Sequence, residues 1–240
     1  MKTKPELVSA VDGTYDALAA EYYDVERHPT CANFRWGSER LLERVVPGPP
    51  DGLICEVGAG DSVLAALLAR KGHSLAGLLL TDASLAMLMY SKRWADQGAR
   101  LEVAAASALP VRDGSVDLLV ASLGDPFDCQ SWWAEAARVL APRGQVVLTT
   151  PAAGWATGFR GAVDEPSASA RFVLADGAVV DVPSYVREPD QERMLIAGAG
   201  LRVTAEDAVL RSDLPTPVSA KLDWLAPEDP VVFAYVATHR

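Results

Sequence analysis

Leu53 to Ala69 reads LICEVGAGDSVLAALLA. It opens with a short apolar run, Leu53-Ile54-Cys55, and passes through Glu56 and Val57 into a turn with glycines at Gly58 and Gly60. Val63, Leu64, Leu67 and Leu68 then recur at helical spacing. Asp61 or Ser62 is placed to cap that helix by accepting from its free backbone N–H groups. The stretch therefore predicts a strand, a tight turn and a helix in immediate succession. Glycines let such a turn take unusual backbone angles and approach a ligand closely. The helix N-terminus aims N–H donors and a positive dipole at the same place.

Two acids flank the turn. Glu56 precedes the first glycine by two positions, and Asp82 ends the next apolar run, Leu78-Leu79-Leu80. A carboxylate at the end of the second strand suits a ribose diol, because it accepts from both hydroxyls. The nicotinamide fingerprint calls for glycine where Val63 stands, so that pattern is not met.

Together EVGAG (Glu56 to Gly60), TDASLAML (Thr81 to Leu88), ALPVRDGSVDLLVAS (Ala108 to Ser122) and RVLAPRGQVVLTTP (Arg138 to Pro151) resemble, in order and content, the class I S-adenosylmethionine (SAM)-dependent methyltransferases. The resemblance covers roughly 100 residues and is specific at superfamily level. It implies a doubly wound α/β fold with a seven-stranded, mostly parallel sheet. An N-terminal helical lid and a hairpin inserted after strand five complete the expected single domain. Its parts are a lid over 1–50, a cofactor core over 51–150, a substrate-covering insertion over 151–186 and the rest of the sheet over 187–240. The implied cofactor is SAM, with S-adenosylhomocysteine (SAH) as product. The residues implied to face it are Glu56, Gly58, Ala59, Gly60, Asp82, Ala83, Met87, Ala106, Ser107 and Ser122, with Met87 beneath the adenine ring. The acid that many relatives place just before the Leu109-Pro110 pair is replaced here by Ala105, Ala106, Ser107 and Ala108.

Composition narrows the substrate. The 240 residues carry 32 acids against 22 bases, a formal net charge of −10. Phosphate backbones need clustered Lys and Arg, so nucleic acid is disfavoured as a partner. The expected partner is a small molecule, with the chain acting as a monomer or homodimer. No run approaches the roughly 18 apolar residues of a membrane span, and MKTKPELVSAVDGTYD lacks an apolar core of signal-peptide length. Cys31, Cys55 and Cys129 show no CxxC spacing, which offers no metal site and fits reduced thiols in a cytoplasm.

Further along the chain, Val11–Tyr23 reads as a helix, Asp24–Trp36 as an irregular polar stretch and Gly37–Val46 as a second helix. Strands are expected at 74–80, 100–104, 116–121, 145–150, 201–210 and 231–238, and helices at 62–71, 84–97, 130–140 and 189–197. Pro142-Arg143-Gly144 reads as the turn before the fifth strand, and Asp128 as the cap of the helix that follows it in sequence. Asp176-Gly177, between two alternating runs, is a strong two-residue hairpin signal.

Methyl transfer is an in-line displacement in which alignment of the reactants supplies up to ~7–11 kcal/mol. A general base is needed when the acceptor carries a proton. His28, in the polar stretch of the lid, is the candidate base, and Asp125, after the fourth strand, is the alternative base. Tyr22, Tyr23, Trp155 and Tyr185 are candidate substrate contacts, with Phe159 as further apolar cover. Two alternatives stay open at the level of sequence: a SAM-binding enzyme of this fold with a non-methylating reaction, and a non-catalytic nucleotide-binding protein.

Overall fold

A computed structural model describes residues 11–46, 48, 50–158 and 168–240. Phe159 lies outside them. The chain opens with helix α1 (Val11–Leu18) and the long helix α2 (Pro29–Val45). Then β1 (Leu53–Val57), α3 (Val63–Arg70) and β2 (Leu78–Asp82) follow. Two single-turn helices, α4 (Leu85–Leu88) and α5 (Lys92–Ala95), lead to β3 (Arg100–Val103) and β4 (Val116–Ala121). Next come α6 (Gln130–Val139), β5 (Leu140–Pro151) and the short α7 (Ala153–Ala156). The hairpin β6 (Ser169–Val173) and β7 (Val179–Pro183), helix α8 (Pro189–Gly198), and strands β8 (Leu201–Leu210) and β9 (Pro230–His239) complete the chain.

Seven strands form one sheet in the order β3-β2-β1-β4-β5-β9-β8. The first five are parallel, and β9 runs antiparallel to both β5 and β8. The winding direction reverses between β1 and β4. In open α/β sheets a crevice opens at that point, beyond the carboxyl ends of the strands. Both faces of the sheet are covered. Leu64, Leu67 and Leu68 of α3 pack on one side with Ile54 and Leu78, and Trp132, Trp133 and Val139 of α6 pack on the other with Cys55 and Leu119. Burial on both faces is why β1, β2 and β4 read as near-continuous apolar runs rather than alternating ones.

The N-terminal region departs from the sequence expectation. Helix α1 stops at Leu18, whose carbonyl takes the amides of Glu21 and Tyr22 in a closing turn. The stretch expected to be irregular is helical from Pro29 onward and continuous with the helix after it. Its polar residues face inward onto partners that are remote in sequence. Asn33 Oδ1 accepts from Ser219 N at 2.8 Å, the Thr30 and Ser219 hydroxyls lie 2.6 Å apart, and Ser38 meets Thr149 at 2.7 Å. Buried polar pairs of this kind hide the apolar periodicity on which a helix assignment depends.

The single helix expected over 84–97 is interrupted by a 3₁₀ turn at Met89–Ser91. The interruption falls where the Ser91 hydroxyl donates to Gly60 O at 2.6 Å and accepts from Ser62 N at 3.2 Å, tying this segment to the glycine turn. The second strand lies at 78–82 rather than 74–80, so Asp82 is its last residue. Pro142-Arg143-Gly144 is a bulge within β5, not a turn before it, since Leu140 already pairs with Val116 and Gln145 with Leu118. The hairpin forms where its turn signal predicts, as a two-stranded sheet of its own, but with three turn residues, Ala175 to Gly177, between the paired Leu174 and Ala178. Phe172 and Val182 from the hairpin cluster with Leu18 of α1, and the Glu21 carboxylate accepts from Ala175 N. The hairpin and the N-terminal segment thus close over the same end of the sheet.

Candidate active site

Ser62 caps α3, its hydroxyl accepting from Ala65 N at 2.8 Å. The turn before it requires glycine twice. Gly58 has φ +63° and Gly60 φ +45°, a region that side chains strain to enter. A Cβ on Gly58 would also stand 2.6 Å from Phe127 Cε1, and one on Gly60 would collide with the Tyr23 hydroxyl.

Beyond this turn lies a cavity of about 540 Å³. Gly58, Ala59, Asp82, Ala83, Met87, Ala106, Ser107 and Ser122 line it, together with Tyr22, Tyr23, His28 and Tyr185. Glu56 and Gly60, expected beside them, are not among the lining residues. Glu56 is fully buried behind the turn, where it accepts from the hydroxyls of Ser62 and Ser122 and from Leu64 N. Burial pushes its carboxyl above the usual range, and those three donors pull it back. Its position makes it a brace that fixes the glycine turn against α3 and the end of β4. Gly60 is overlain by Tyr23.

Asp82 is the acid at the cavity wall. Its Oδ2 accepts from Gly60 N at 3.0 Å and its Oδ1 from Ser84 N at 2.9 Å. Burial raises its carboxyl to about 6 despite these donors. The Ser84 side chain caps α4 and donates to Asp16 of α1.

A second cavity of about 410 Å³ adjoins the first and shares Tyr15, Tyr22, His28, Cys31, Leu123 and Pro126 with it. Its remaining wall comes from α2, the hairpin, α7 and the segment before β9, and it contains Asp125, Trp155, Phe172 and Lys221. Asp125 and Trp155, two of the residues singled out from sequence, therefore belong to this second space. Trp155 is buried against Phe34, their rings 5.1 Å apart. The Asp125 carboxylate accepts from the Ser184 hydroxyl, and its carbonyl accepts from Tyr185 N at 2.8 Å. This joins the loop after β4 to the strand end that carries Tyr185.

His28 stands at the junction of the two cavities. Its ring is edge-on to Phe172 at 5.1 Å, and its buried Nε2 has no hydrogen-bond partner among the described residues. Burial lowers its pKa, partly offset by Glu21 and Asp24 nearby, which favours the neutral imidazole. Burial raises the pKa of Tyr15 and Tyr22 at the same junction, reinforced at Tyr15 by the charge of Asp125 and at Tyr22 by Cys31.

Asp128 does not cap α6. Cys129 is the cap residue, and Asp128 is buried, accepting from Trp133 Nε1 at 2.9 Å and pairing with Arg187. Sequence reading also missed Tyr15, Cys31, Arg35 and Leu123 as wall residues. Leu123 is the one non-glycine residue with positive φ, 54°, among those described. A left-handed leucine at the end of β4 is strained, and such strain concentrates at functional sites. Among the described residues no three of His, Cys, Asp or Glu gather as a metal site, and no helix is long and apolar enough to cross a membrane.

Residues 54–144 match the family model described as a methyltransferase domain. A curated relative, the malonyl-[acyl-carrier protein] O-methyltransferase of Hahella chejuensis, is 31% identical over 148 residues, covering 60% of this chain. That match spans about half of the relative, 48% of its length. Among solved structures, the DhpI–SAM–HEP complex superposes with a TM-score of 0.65 at 18% identity, over 98% of this chain and 99% of the other. A SAM-dependent methyltransferase from Mesorhizobium loti gives 0.59 at 17% identity, over 85% and 99%. The PH0226 protein from Pyrococcus horikoshii OT3 gives 0.64 at 15% identity, over 94% and 98%. At these identities the structural likeness is one of fold.

Proposed function

We propose that this chain is a class I SAM-dependent methyltransferase that binds SAM in the larger cavity and passes its methyl group to a small molecule held in the smaller one. The observation that carries this reading is the junction. The two cavities meet along one wall made of Tyr15, Tyr22, His28, Cys31, Leu123 and Pro126, so molecules in each would face one another there.

The residues present fit the cofactor. Asp82 offers a carboxylate at the end of β2, where a ribose diol has two hydroxyls to donate. The glycine turn leaves no side chain between its backbone and the cavity at Gly58. Met87 is buried and forms part of the same wall, an apolar surface for a purine ring. Ala106 and Ser107 supply backbone groups and one hydroxyl for its polar edge, in place of the acid absent from this segment.

SAM, when bound, supplies an electrophilic methyl group on a positively charged sulfur. The chain's part is to align the acceptor and, where that acceptor carries a proton, to take it. His28 is suited to the second task, because partial burial favours its neutral form and it faces both cavities. Asp125 is the alternative base in the second cavity. Tyr22, Tyr23, Trp155 and Tyr185 orient the acceptor or enclose it. Aromatic rings beside the junction also favour a cation.

A small acceptor is supported by the second cavity, whose size and largely apolar wall are those of a small-molecule site, and by the acidic balance of the chain. The relative from Hahella chejuensis is named as an O-methyltransferase of malonyl-[acyl-carrier protein], and a biosynthetic role is the corresponding proposal for this chain. Action as a cytoplasmic monomer or homodimer, without nucleic acid or membrane, completes the reading. Titration calorimetry with SAM, SAH and NAD tests it. Binding of SAM and SAH is expected, and binding of NAD alone would sink it. Release of SAH with candidate acceptors then distinguishes a working methyltransferase from a protein that only holds the nucleotide.

A further inference from the structure

We propose that Leu123 sets the size of the group that can pass between the two cavities, an inference that rests on the SAM reading above. Anything transferred from one cavity to the other must cross the wall they share. Four residues of that wall, Tyr15, Tyr22, His28 and Cys31, come from the N-terminal region, and Leu123 and Pro126 come from the loop after β4. Leu123 stands there in the left-handed region, with φ 54°. In that region a Cβ is crowded by the following carbonyl oxygen, and glycine avoids the crowding. Glycine comes one position later, at Gly124, where φ is not positive. It is there for space, because a Cβ on Gly124 would stand 2.6 Å from Leu148 Cδ1 and 3.0 Å from Ala121 Cβ. The turn therefore carries its leucine at the strained position. Strain of this kind persists only where the surroundings over-determine it.

The surroundings of Leu123 do so. Leu123 N donates to Thr149 Oγ1 at 2.8 Å, and Gly124 N donates to Thr149 O at 2.9 Å. Thr149 is fully buried in β5, its hydroxyl 2.7 Å from that of Ser38 in α2. Two residues on, Asp125 O accepts from Tyr185 N at 2.8 Å. The Leu123 side chain packs against the apolar cluster that holds Phe34 and Trp155, both in the wall of the second cavity. Leu123 is thus an apolar block on a pinned backbone, facing both spaces. In-line transfer puts the sulfur, the moving carbon and the acceptor on one line through this junction. Leu123 leaves room there for a methyl group. Each further carbon on the sulfur has to displace a side chain whose backbone is held by buried hydrogen bonds.

The test reads binding and needs no acceptor. Calorimetry on the full chain compares SAM with S-adenosylethionine, in which an ethyl group replaces the methyl. SAH, with no third substituent on its sulfur, is the reference. The wild type should bind S-adenosylethionine about 10-fold or more weakly than SAM, the scale of one methylene in a closed apolar pocket. Leu123→Ala should cut that ratio to about threefold or less and leave SAH within about twofold, since the methylene then has space. Leu123→Gly should do the same. Because glycine suits the left-handed backbone, it should also melt no lower than Leu123→Ala, and it carries the test should the alanine variant not fold. An unchanged ratio in the folded variants overturns the assignment. So does a wild type that binds the two sulfonium ligands equally, or a loss of SAH in step with both of them. A glycine variant that melts below the alanine one removes the strain on which the assignment stands. Wild-type protein that binds none of the three ligands would instead remove the SAM reading, and this inference with it.

Discussion

The phenolic oxygen of Tyr23 accepts a hydrogen bond from the amide of Asp61 at 2.6 Å, which ties the N-terminal segment to the turn between β1 and α3. Asp61 stands immediately before Ser62, the residue that caps α3. The Tyr23 ring also packs edge-on to Tyr22 at 5.0 Å and to Tyr90 at 4.9 Å, while the Tyr90 hydroxyl holds Ala19 O at 2.7 Å. The segment is latched by several contacts at once.

Tyr23→Phe removes one hydrogen bond from this latch and keeps the ring. The expected result is faster dissociation of SAH by several-fold, consistent with about 1 kcal/mol for a single neutral bond, and little change in melting temperature. Stopped-flow displacement of a fluorescent SAH analogue measures it. An unchanged off-rate would mean that the latch does not control the cavity mouth.

Asp82→Ala should weaken SAH binding by roughly 1.5–3 kcal/mol, because a charged acceptor of hydrogen bonds is lost. The wild type should show a related pH effect. Burial raises the Asp82 carboxyl from an ordinary value of 3.8 to about 6, and ribose hydroxyls donate best to the ionised form. Affinity should therefore be flat above neutrality and fall below about pH 6, by at most about tenfold per unit. The stability sign is the opposite. With the folded pKa raised, the contribution of Asp82 to folding is fully present below about 3.8 and is lost as pH rises through about 6. Calorimetry between pH 5 and 8 on wild type and Asp82→Asn separates the two effects, since the variant should lose both dependences.

His28→Ala should lower turnover by roughly 10²–10⁴ for a protic acceptor and leave SAH affinity nearly unchanged. The base must be neutral, so the rate should climb with pH through the His28 pKa. Burial sets that pKa below the ordinary 6.5, which puts the acidic limb of the profile below that value. The limb should vanish in the variant. A retained rate would point to Asp125 or to an acceptor that needs alignment alone, and His28→Ala combined with Asp125→Asn would tell these apart.

Asp128 and Glu192 form a buried acidic pair with Arg187, whose Nη1 lies 3.8 Å from Glu192. Burial, then the charge of Asp128, pushes the Glu192 carboxyl well above the usual range. Its contribution to stability is present below an ordinary carboxylate pKa and drains away as pH rises toward the raised folded one. Glu192→Gln should remove this loss. The difference in melting temperature between variant and wild type should grow in favour of the variant from pH 5 to pH 9. A constant difference would show that Glu192 is ionised throughout.

The middle of the sheet was legible in the sequence because its central strands are buried on both faces. Strands β1 and β4 carry local apolar patterns that needed no tertiary information, and Gly58 and Gly60 with Ser62 announced the turn and cap between β1 and α3. Asp82 was found from spacing alone, since the end of the second strand is a fixed place in a βαβ unit. The N-terminal segment was less legible. Thr30, Asn33 and Ser38 look like loop residues until Ser219 and Thr149, more than a hundred positions away, supply their partners. Glu56 showed the limit of a motif. Its position was read correctly, yet its side chain turns to Ser62 and Ser122 and away from the cavity.

The sequence by itself determined the order of strands and helices, the glycine turn and the acid opposite it, because these depend on neighbours within a few residues. The division into two cavities was decided only by tertiary structure. Its shared wall takes Tyr15, Tyr22, His28 and Cys31 from the N-terminal region and Leu123 and Pro126 from the loop after β4, while Phe172 and Lys221 come from later segments to enclose the second space. The same is true of Arg35, which reads as one basic residue among many until α2 sets it on Asp61. Such groups meet only when the whole chain closes, and no local pattern encodes a contact whose partners the backbone brings together from opposite ends.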